Sequence, residues 1–291
     1  MKSSELILNG DGSIYHLHLL PEQVAPLIIL VGDPDRVPLV SQYFDQVEHK
    51  VQKREFITHT GRIGHTRLSV VSTGIGPDNI DIVLNELDAL FNIDLNTRQI
   101  KPALQSLTFI RIGTAGGLQA EIPVDAFVAS SGAFGMDGLL QFYQAENLTK
   151  VPIITALKSH CVPDWDFPLQ PYFASANANL MNNFQGEFHL GLTATNPGFY
   201  GPQGRRLRAE VKLPRYLDLL QSFEFEDTRI LNLEMETSAI YGLSQLLGHR
   251  AISLSAILAN RALGQFSLNP GKTVQNLIEQ TLSRVESLSV L

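Results

Sequence analysis

Short apolar runs alternate with amphipathic stretches along this chain. Runs of about four to eight apolar residues that end in glycine or polar residues predict buried strands, here at Leu27–Val31, Arg67–Thr73, Leu107–Ile110, Ala126–Ala129, Phe188–Thr193, Thr228–Asn232 and Ala251–Leu258. Apolar residues at helical spacing predict helices over 77–91, 172–184, 213–223, 234–247 and 271–287. The polar stretch 92–106 predicts an inserted loop or short helix.

This alternation is typical of an α/β protein, and no linker or repeat divides it. We therefore expect a single domain over residues 1–291, with a central mixed β-sheet flanked by helices. A chain of 291 residues with 44% hydrophobic residues can bury a core of that size.

Composition narrows the function classes. The net charge of −7 argues against nucleic-acid or anionic-membrane binding over the general surface. The single cysteine, Cys161, excludes an intrachain disulfide framework and a multi-cysteine zinc site, and such a residue is most often a small core or surface side chain. No apolar stretch is long enough for a signal peptide or a membrane span. We expect a cytoplasmic protein.

The most informative stretch is Arg111-Ile-Gly-Thr-Ala-Gly-Gly117, which follows the strand Leu107–Ile110 directly. Glycines after a buried strand let backbone N–H groups approach an anion, and Arg111 adds a permanent charge with a forked donor. The carboxyl edge of an open α/β sheet is where such folds bind ligands. The stretch therefore predicts an oxyanion site, although a purely structural turn explains it equally well in isolation.

Other strands end in the same way. In Gly32-Asp-Pro-Asp-Arg36, Gly32 allows close backbone approach and Arg36 would point toward the edge that holds Arg111. The alternative is a helix N-terminus with a solvated arginine. Arg54 lies in a strand-like stretch, where an exposed arginine is the ordinary case.

Taken together, the motifs resemble one family. Gly32–Arg36, Arg54–Phe56, Ser72–Gly76, Arg111–Thr114 and Glu234–Glu236 occur in the same order as in the nucleoside phosphorylases, most similarly to the bacterial uridine phosphorylases. The similarity runs from about His16 to the C-terminal helix, although the segment before Arg111 is longer here and residues 137–168 match poorly.

The resemblance implies a phosphate site formed by Gly32, Arg36, Arg111 and Thr114, with Arg54 contributed across a dimer interface. A dianion matched by three guanidinium groups and a hydroxyl needs no metal. The resemblance thus implies no cofactor, with phosphate as co-substrate. Some relatives bind a monovalent cation at the dimer interface, and Glu55 and Ile75 match that site while residues 77–79 do not.

For the sugar, the resemblance implies that Glu234, Met235 and Glu236 bind ribose. Glu236 would accept hydrogen bonds from the 2′ and 3′ hydroxyls, and Met235 would pack on the ring. Alone, this segment reads as an acidic helix start. His16 falls where the family places a histidine that reaches the neighbouring subunit's ribose, and His18, two residues on, is the alternative.

For the base, the segment Phe199-Tyr-Gly-Pro-Gln-Gly-Arg205 resembles the pyrimidine-specific loop of uridine phosphorylases. Gln203 can accept from uracil N3–H and donate to O2, while Arg205 can donate to O4. Phe199 would stack on the base, which Gly116 would also contact. Purine-specific relatives carry a proton-donating aspartate where this chain has Asn260, and the following Arg261 would order the base loop. A glycine- and proline-rich surface loop is the alternative.

The function so implied is reversible phosphorolysis of a pyrimidine nucleoside to free base and ribose 1-phosphate, with uridine as the first candidate and deoxyuridine or thymidine as further ones. Arg111, Arg205 and Glu236 would carry catalysis. Residues that cross a subunit boundary imply a homodimer with shared active sites, or a hexamer of such dimers. The alternatives are a nucleosidase of the same fold and a non-catalytic nucleoside-binding protein. A Rossmann dehydrogenase is disfavoured because Gly113 and Gly116 lack the full dinucleotide fingerprint.

Overall fold

A mixed β-sheet runs through the molecule in the computed structural model, which describes residues 1–149, 151–162, 164, 170–285 and 287. The strands are β1 (Leu27–Val31), β2 (Gln46–Lys53), β3 (Phe56–Ile63), β4 (Thr66–Ser72), β5 (Ile93–Asp94), β6 (Gln99–Ile100), β7 (Thr108–Gly117), β8 (Phe127–Gly135), β9 (Tyr172–Ser175), β10 (His189–Thr195), β11 (Glu224–Phe225), β12 (Thr228–Glu234), β13 (Arg250–Asn260) and β14 (Gln265–Phe266).

Helices cover the sheet. They are α1 (Arg36–Ser41), α2 (Pro77–Asn92), α3 (Glu146–Thr149), α4 (Pro152–Cys161), α5 (Ala178–Met181), α6 (Tyr216–Ser222), α7 (Thr237–Leu247) and α8 (Pro270–Leu282). None of the helices in the described part of the chain is long and apolar enough to cross a membrane.

The strand order is β11-β12-β10-β8-β13-β7-β1-β4-β3-β2. Strand β7 pairs in parallel with β1 and β13, and its end also pairs antiparallel with β12, at Gly116 and Gly117. The strands β12, β10, β8, β13 and β7 therefore close into a ring. Residues that follow β1 and β12 therefore meet beside Arg111–Gly116 of β7.

The core lies on both faces of the sheet, since successive strand residues point to opposite sides. In β1, Leu27, Ile29 and Val31 belong to the cluster that includes α1 and α8, whereas Ile28 and Leu30 belong to the cluster that includes α2 and α7. The predicted apolar face of the first long helix is fully buried, at Ile80, Val83, Leu84, Leu87 and Leu90. Together these observations confirm the predicted α/β class with a central mixed sheet.

Some predicted elements were wrong. The chain from 172 forms strand β9 before it turns into the short helix α5, because Tyr172–Ser175 pairs with the edge of β8. Glycines of β8 make room for this pairing, since a Cβ on Gly135 would lie 2.1 Å from the Tyr172 ring. After Asn92, which ends α2, residues 93–106 hold the small hairpin β5–β6 and no helix.

Three further corrections concern positions near predicted site residues. Arg54 lies outside any strand, in the β2–β3 turn with a left-handed φ of 55°. Glu234 ends strand β12, so the predicted helix 234–247 begins only at Thr237. Helix α8 ends at Leu282, and position 286 of the predicted helix 271–287 lies outside the described residues, as do positions 150, 163 and 165–168 of the poorly matching segment 137–168.

Candidate active site

A cavity of about 770 Å³ opens beside strand β7, lined by Arg111 and residues 113–116 of that strand and by residues that follow β1 and β12. The prediction that Arg111–Gly117 follows the strand as a turn was wrong, because this stretch pairs with β13 and is part of β7. Most of the predicted site residues line the cavity, namely Gly32, Arg36, Arg111, Thr114, Gly116, Phe199, Gln203, Arg205, Glu234, Met235 and Glu236. Glu55 and Ile75 also lie on its wall. Among the described residues, no group of three or more His, Cys, Asp or Glu could hold a metal ion.

Arg111 is the centre of what we call the phosphate end of the cavity (Arg36, Arg111, Glu234, Glu236). Its side chain is 5% exposed, and its Nη2 lies 2.6 Å from Glu236 Oε2 and 3.1 Å from Glu234 Oε2. Nη1 faces the hydroxyls of Ser253 and Ser255 on β13 at 3.4 and 3.3 Å. Although burial opposes the charge, the two carboxylates raise the pKa of Arg111, so it stays a cation.

Glycine makes the position of Arg111 attainable. Arg111 and Gly113 point to the same face of β7, and the guanidinium folds over Gly113. A Cβ on Gly113 would lie 1.9 Å from Arg111 Nη1. Any other residue at position 113 would therefore push the guanidinium out of the site.

Glu234 is saturated by contacts within the protein. It accepts hydrogen bonds from the Thr195 hydroxyl at 2.6 Å and from the backbone N–H groups of Glu236 and Thr237, both at 2.9 Å. These N–H groups open helix α7, so the carboxylate caps the helix and holds Arg111 at the same time.

Glu236 is freer to meet a ligand. Its Oε1 accepts from the backbone N–H of Gly76 at 2.9 Å, and its Oε2 pairs with Arg111. Burial raises the pKa of Glu236, Arg111 opposes that effect, and the neighbouring Glu234 charge adds to it. Gly76 has a φ of 99°, a conformation that favours glycine, so this residue type places the N–H there.

Arg36 brings a second guanidinium to the phosphate end. Its Nη1 donates to the Ile112 carbonyl oxygen at 3.2 Å. This hydrogen bond joins the first residue of α1 to β7. Burial lowers the pKa of Arg36, and the positive charge of Arg111 lowers it further. Two cations held close enough to repel each other form a site that an anion would stabilise.

A second part of the wall is what we call the base end (Phe199, Gln203, Arg205), after the ligand that the family resemblance implies there. Arg205 Nη1 donates to Gln203 Oε1 at 2.6 Å and to the Phe199 carbonyl oxygen at 2.7 Å. Its guanidinium lies 3.8 Å from the centre of the Phe199 ring. Burial and the nearby Arg261 lower the pKa of Arg205 to about 10. Gln203 is 3% exposed, whereas Phe199 is 51% exposed.

Arg261 and Asn260 support this wall from behind. Arg261 Nη1 donates to the Gln203 carbonyl oxygen at 3.2 Å. Asn260 does not line the cavity: its Nδ2 donates to the carbonyl oxygens of Gln119 and Ile122 at 2.9 and 2.8 Å, and its Oδ1 accepts from Leu263 N–H at 2.9 Å.

Two predicted residues lie away from the cavity of their own chain. Arg54 is exposed in the β2–β3 turn. His16 is bound through Nδ1 to Glu86 Oε1 at 2.7 Å, and His18 through Nε2 to Asp11 Oδ2 at 3.0 Å. The structure of one chain therefore brings neither His16 nor Arg54 to the other site residues.

Sequence reasoning missed several residues that build the site. Ser253 and Ser255 face Arg111, and the alternation Ile-Ser-Leu-Ser in a buried strand was a readable signal for one polar face. Gly76 lies in the motif Ser72–Gly76, but the motif alone does not indicate that its N–H binds Glu236. The apolar wall residues Leu258, Ala259 and Phe266 carried no signal of their own.

Comparisons with known proteins agree with this fold. Residues 26–288 match the family model for the phosphorylase superfamily. The uridine phosphorylase of Thermococcus kodakarensis is 28% identical over 264 residues, covering 91% of this chain and 83% of that protein. The uridine phosphorylase of Haemophilus influenzae is 28% identical over 275 residues, covering 94% and 95%. A Trypanosoma brucei nucleoside phosphorylase described as having uridine phosphorylase activity superposes with a TM-score of 0.84 at 28% identity, covering 96% of this chain and 99% of that one.

Proposed function

The chain belongs to the phosphorylase superfamily, and from that premise we propose that it catalyses reversible phosphorolysis of a pyrimidine nucleoside, with uridine as the main substrate. The products are free base and ribose 1-phosphate. One observation carries the proposal: a single cavity joins the arginine pair Arg36 and Arg111 to the carboxylate of Glu236 and to the pair Gln203 and Arg205.

Phosphate binds at the phosphate end. Arg36 and Arg111 supply charge, Gly32 lets the dianion approach the backbone, and the Thr114 hydroxyl donates a further hydrogen bond. A dianion placed there relieves the repulsion between the two guanidinium groups. Arg54 of a neighbouring subunit completes the site in this proposal, since Arg54 does not line the cavity of its own chain.

Ribose lies between the two ends. Glu236 accepts hydrogen bonds from the 2′ and 3′ hydroxyls, Met235 packs on the sugar, and His16 of the neighbouring subunit contacts it from the other side. We assign Glu234 a supporting part in ribose binding, because all of its strong contacts are internal. The shared residues make a homodimer the functional unit, with a hexamer of dimers as a larger assembly.

The base lies against Phe199 and Gly116, where Gln203 and Arg205 donate hydrogen bonds to the uracil oxygens. Phosphate attacks C1′ from the face opposite the base, and the C1′–N1 bond breaks as positive charge develops on the sugar. The phosphate dianion stabilises that positive charge, while Gln203 and Arg205 stabilise the negative charge on departing uracil. Phosphate is the nucleophile. A monovalent cation binds near Glu55 and Ile75 in this proposal, and it takes part in no chemical step.

The test is base release from uridine, thymidine, inosine and adenosine, each with and without phosphate. We expect phosphate-dependent release of uracil from uridine. Release without phosphate would show a nucleosidase, and release from the purine nucleosides alone would show that Gln203 and Arg205 do not select the base. Binding of uridine without turnover would show a nucleoside-binding protein.

A further inference from the structure

Glu86 on helix α2 makes an unusual set of contacts with the N-terminal segment. Its Oε1 accepts from the His16 backbone N–H at 2.9 Å, and its Oε2 accepts from the Leu17 backbone N–H at 2.8 Å. The same Oε1 lies 2.7 Å from His16 Nδ1. One carboxylate thus binds both the backbone and the side chain of His16, across 70 positions of sequence.

This contact decides which ring nitrogen of His16 carries a proton. An ionised carboxylate only accepts hydrogen bonds, so Nδ1 must be the donor. The neutral ring then presents Nε2 as an acceptor. The ring also meets Tyr15 and Phe56 edge-on, at centroid distances of 4.8 and 6.5 Å, which restricts its rotation. The His16 side chain keeps 27% of its surface exposed, so the ring is oriented and still open to a ligand.

The segment is braced from its other side by Lys53. Its Nζ donates to the Tyr15 carbonyl oxygen at 2.6 Å and to Asn9 Oδ1 at 2.8 Å. Lys53 is the direct neighbour of Arg54, the second residue that the proposed shared site draws from this surface. His16 and Arg54 therefore sit on one connected unit of the N-terminal segment, α2 and the β2–β3 turn.

The pair His18–Asp11 is a second histidine–carboxylate contact in the same N-terminal segment, and it differs from His16–Glu86. It joins residues seven positions apart through Nε2, and both side chains are largely solvent-exposed, at 41% and 57%. Asp11 makes its other contacts to Ser13, also nearby in sequence. This second pair offers a matched control.

We propose that Glu86 is a positioning residue: it fixes His16 as the Nδ1–H tautomer so that Nε2 accepts a hydrogen bond from the ribose 5′-hydroxyl of a nucleoside in the neighbouring subunit's cavity. The inference rests on the proposed function. The 5′-hydroxyl is the ribose hydroxyl that still lacks a partner in the proposed function, because Glu236 binds the 2′ and 3′ hydroxyls.

Two measurements test it. The first is the ¹⁵N chemical shifts of the His16 ring in the wild-type protein, Glu86→Ala, Glu86→Gln and Asp11→Asn. We expect Nδ1 protonated and Nε2 bare in the wild type and Asp11→Asn, the same state largely kept in Glu86→Gln through its Oε1, and a mixed tautomer in Glu86→Ala. The second is kcat/KM for uridine and for 5′-deoxyuridine.

The kinetic expectation is a loss that depends on the 5′-hydroxyl. Glu86→Ala and His16→Ala should each lower kcat/KM for uridine by about three- to tenfold, the worth of one hydrogen bond, and leave 5′-deoxyuridine nearly unchanged. The double variant should lose no more than His16→Ala alone, because Glu86 acts through His16.

The contrary results are distinct. Equal losses on both substrates, an unchanged tautomer in Glu86→Ala, or additive losses in the double variant would overturn the positioning role, while the proposed function would stand. Absence of phosphorolysis in the wild type would overturn the proposed function and this inference together.

Discussion

The two ends of the cavity are built differently. At the phosphate end, Arg111 and Glu236 are 5% and 6% exposed. Arg111 lies within β7 and is held by Glu234, the last residue of β12, and by Glu236 at the start of α7. At the base end, Phe199 is 51% exposed, and Arg205 makes its hydrogen bonds within its own loop. A charge site must be preorganised to stabilise a transition state, whereas a recognition loop can vary without disturbing the core. Under the proposed function, the difference separates the chemistry of the site from its choice of base.

The largest expected effect is at the phosphate end. Arg111→Ala should lower phosphate-dependent uracil release by roughly 10²–10³-fold or more, because it removes the central charge of the dianion site. It should also destabilise the fold by about 3–5 kcal/mol, since Glu234 and Glu236 keep buried charges without their partner. The measurements are steady-state turnover and thermal unfolding of the same variant.

Arg111→Lys serves as its control. Lysine keeps the positive charge but loses the fork that reaches both carboxylates and the serine pair, so it should recover stability more fully than turnover. Near-normal turnover in Arg111→Ala would show that phosphate does not bind at this end of the cavity.

At the base end, the same kind of truncation should affect rate more than stability. Gln203→Ala or Arg205→Ala should lower kcat/KM for uridine by roughly 10- to 100-fold, the effect of losing a hydrogen bond to developing charge. The thermal midpoint should change little in Arg205→Ala, because Arg205 is partly exposed. It should fall more in Gln203→Ala, because Gln203 is 3% exposed. Arg206→Ala, whose only ion pair is with the exposed Glu210 among the described residues, is the matched control. Unchanged kinetics in both Gln203→Ala and Arg205→Ala would show that the base end does not contribute to turnover of uridine.

Asn260 tests whether the base end depends on its support. Asn260→Asp replaces a donor to two buried carbonyl oxygens by an acceptor, which should cost about 1–3 kcal/mol of stability. Because the side chain does not line the cavity, the aspartate should not create turnover of inosine or adenosine. Thermal unfolding and the nucleoside panel measure both effects. Purine turnover in this variant would show that position 260 reaches the base after all.

The sequence predicts some parts of this fold better than others. The α/β class and the apolar face of α2 are local patterns, and the structure confirms them. Strand β9 could not be predicted, because Tyr172–Ser175 adopts its conformation through pairing with β8, far away in sequence. The hairpin β5–β6 likewise depends on a pairing that no local periodicity records.

The site was predictable where a motif names its residues and hidden where the fold supplies partners. Arg111 and Gln203 were marked by their motifs, and the structure places both on one cavity. The saturation of Glu234 by Thr195 and the N–H groups of α7 depends on where β10 ends relative to β12, which no motif encodes. Residues such as His16 need a second subunit, and their assignment stays a prediction.

The smallest expected effect is a pH dependence that only the phosphate end should show. Burial raises the pKa of Glu236, so on acidification this carboxyl takes up a proton at a higher pH than an ordinary glutamate, whose pKa is about 4.3. Protonation breaks the ion pair with Arg111 and weakens an acceptor for ribose. With phosphate in excess, kcat/KM for uridine should therefore fall with a midpoint above that value. Glu236→Gln should lower the plateau and abolish this acid limb, whereas Gln203→Ala should lower the plateau and keep it. An acid limb that survives in Glu236→Gln would assign the titration to another group.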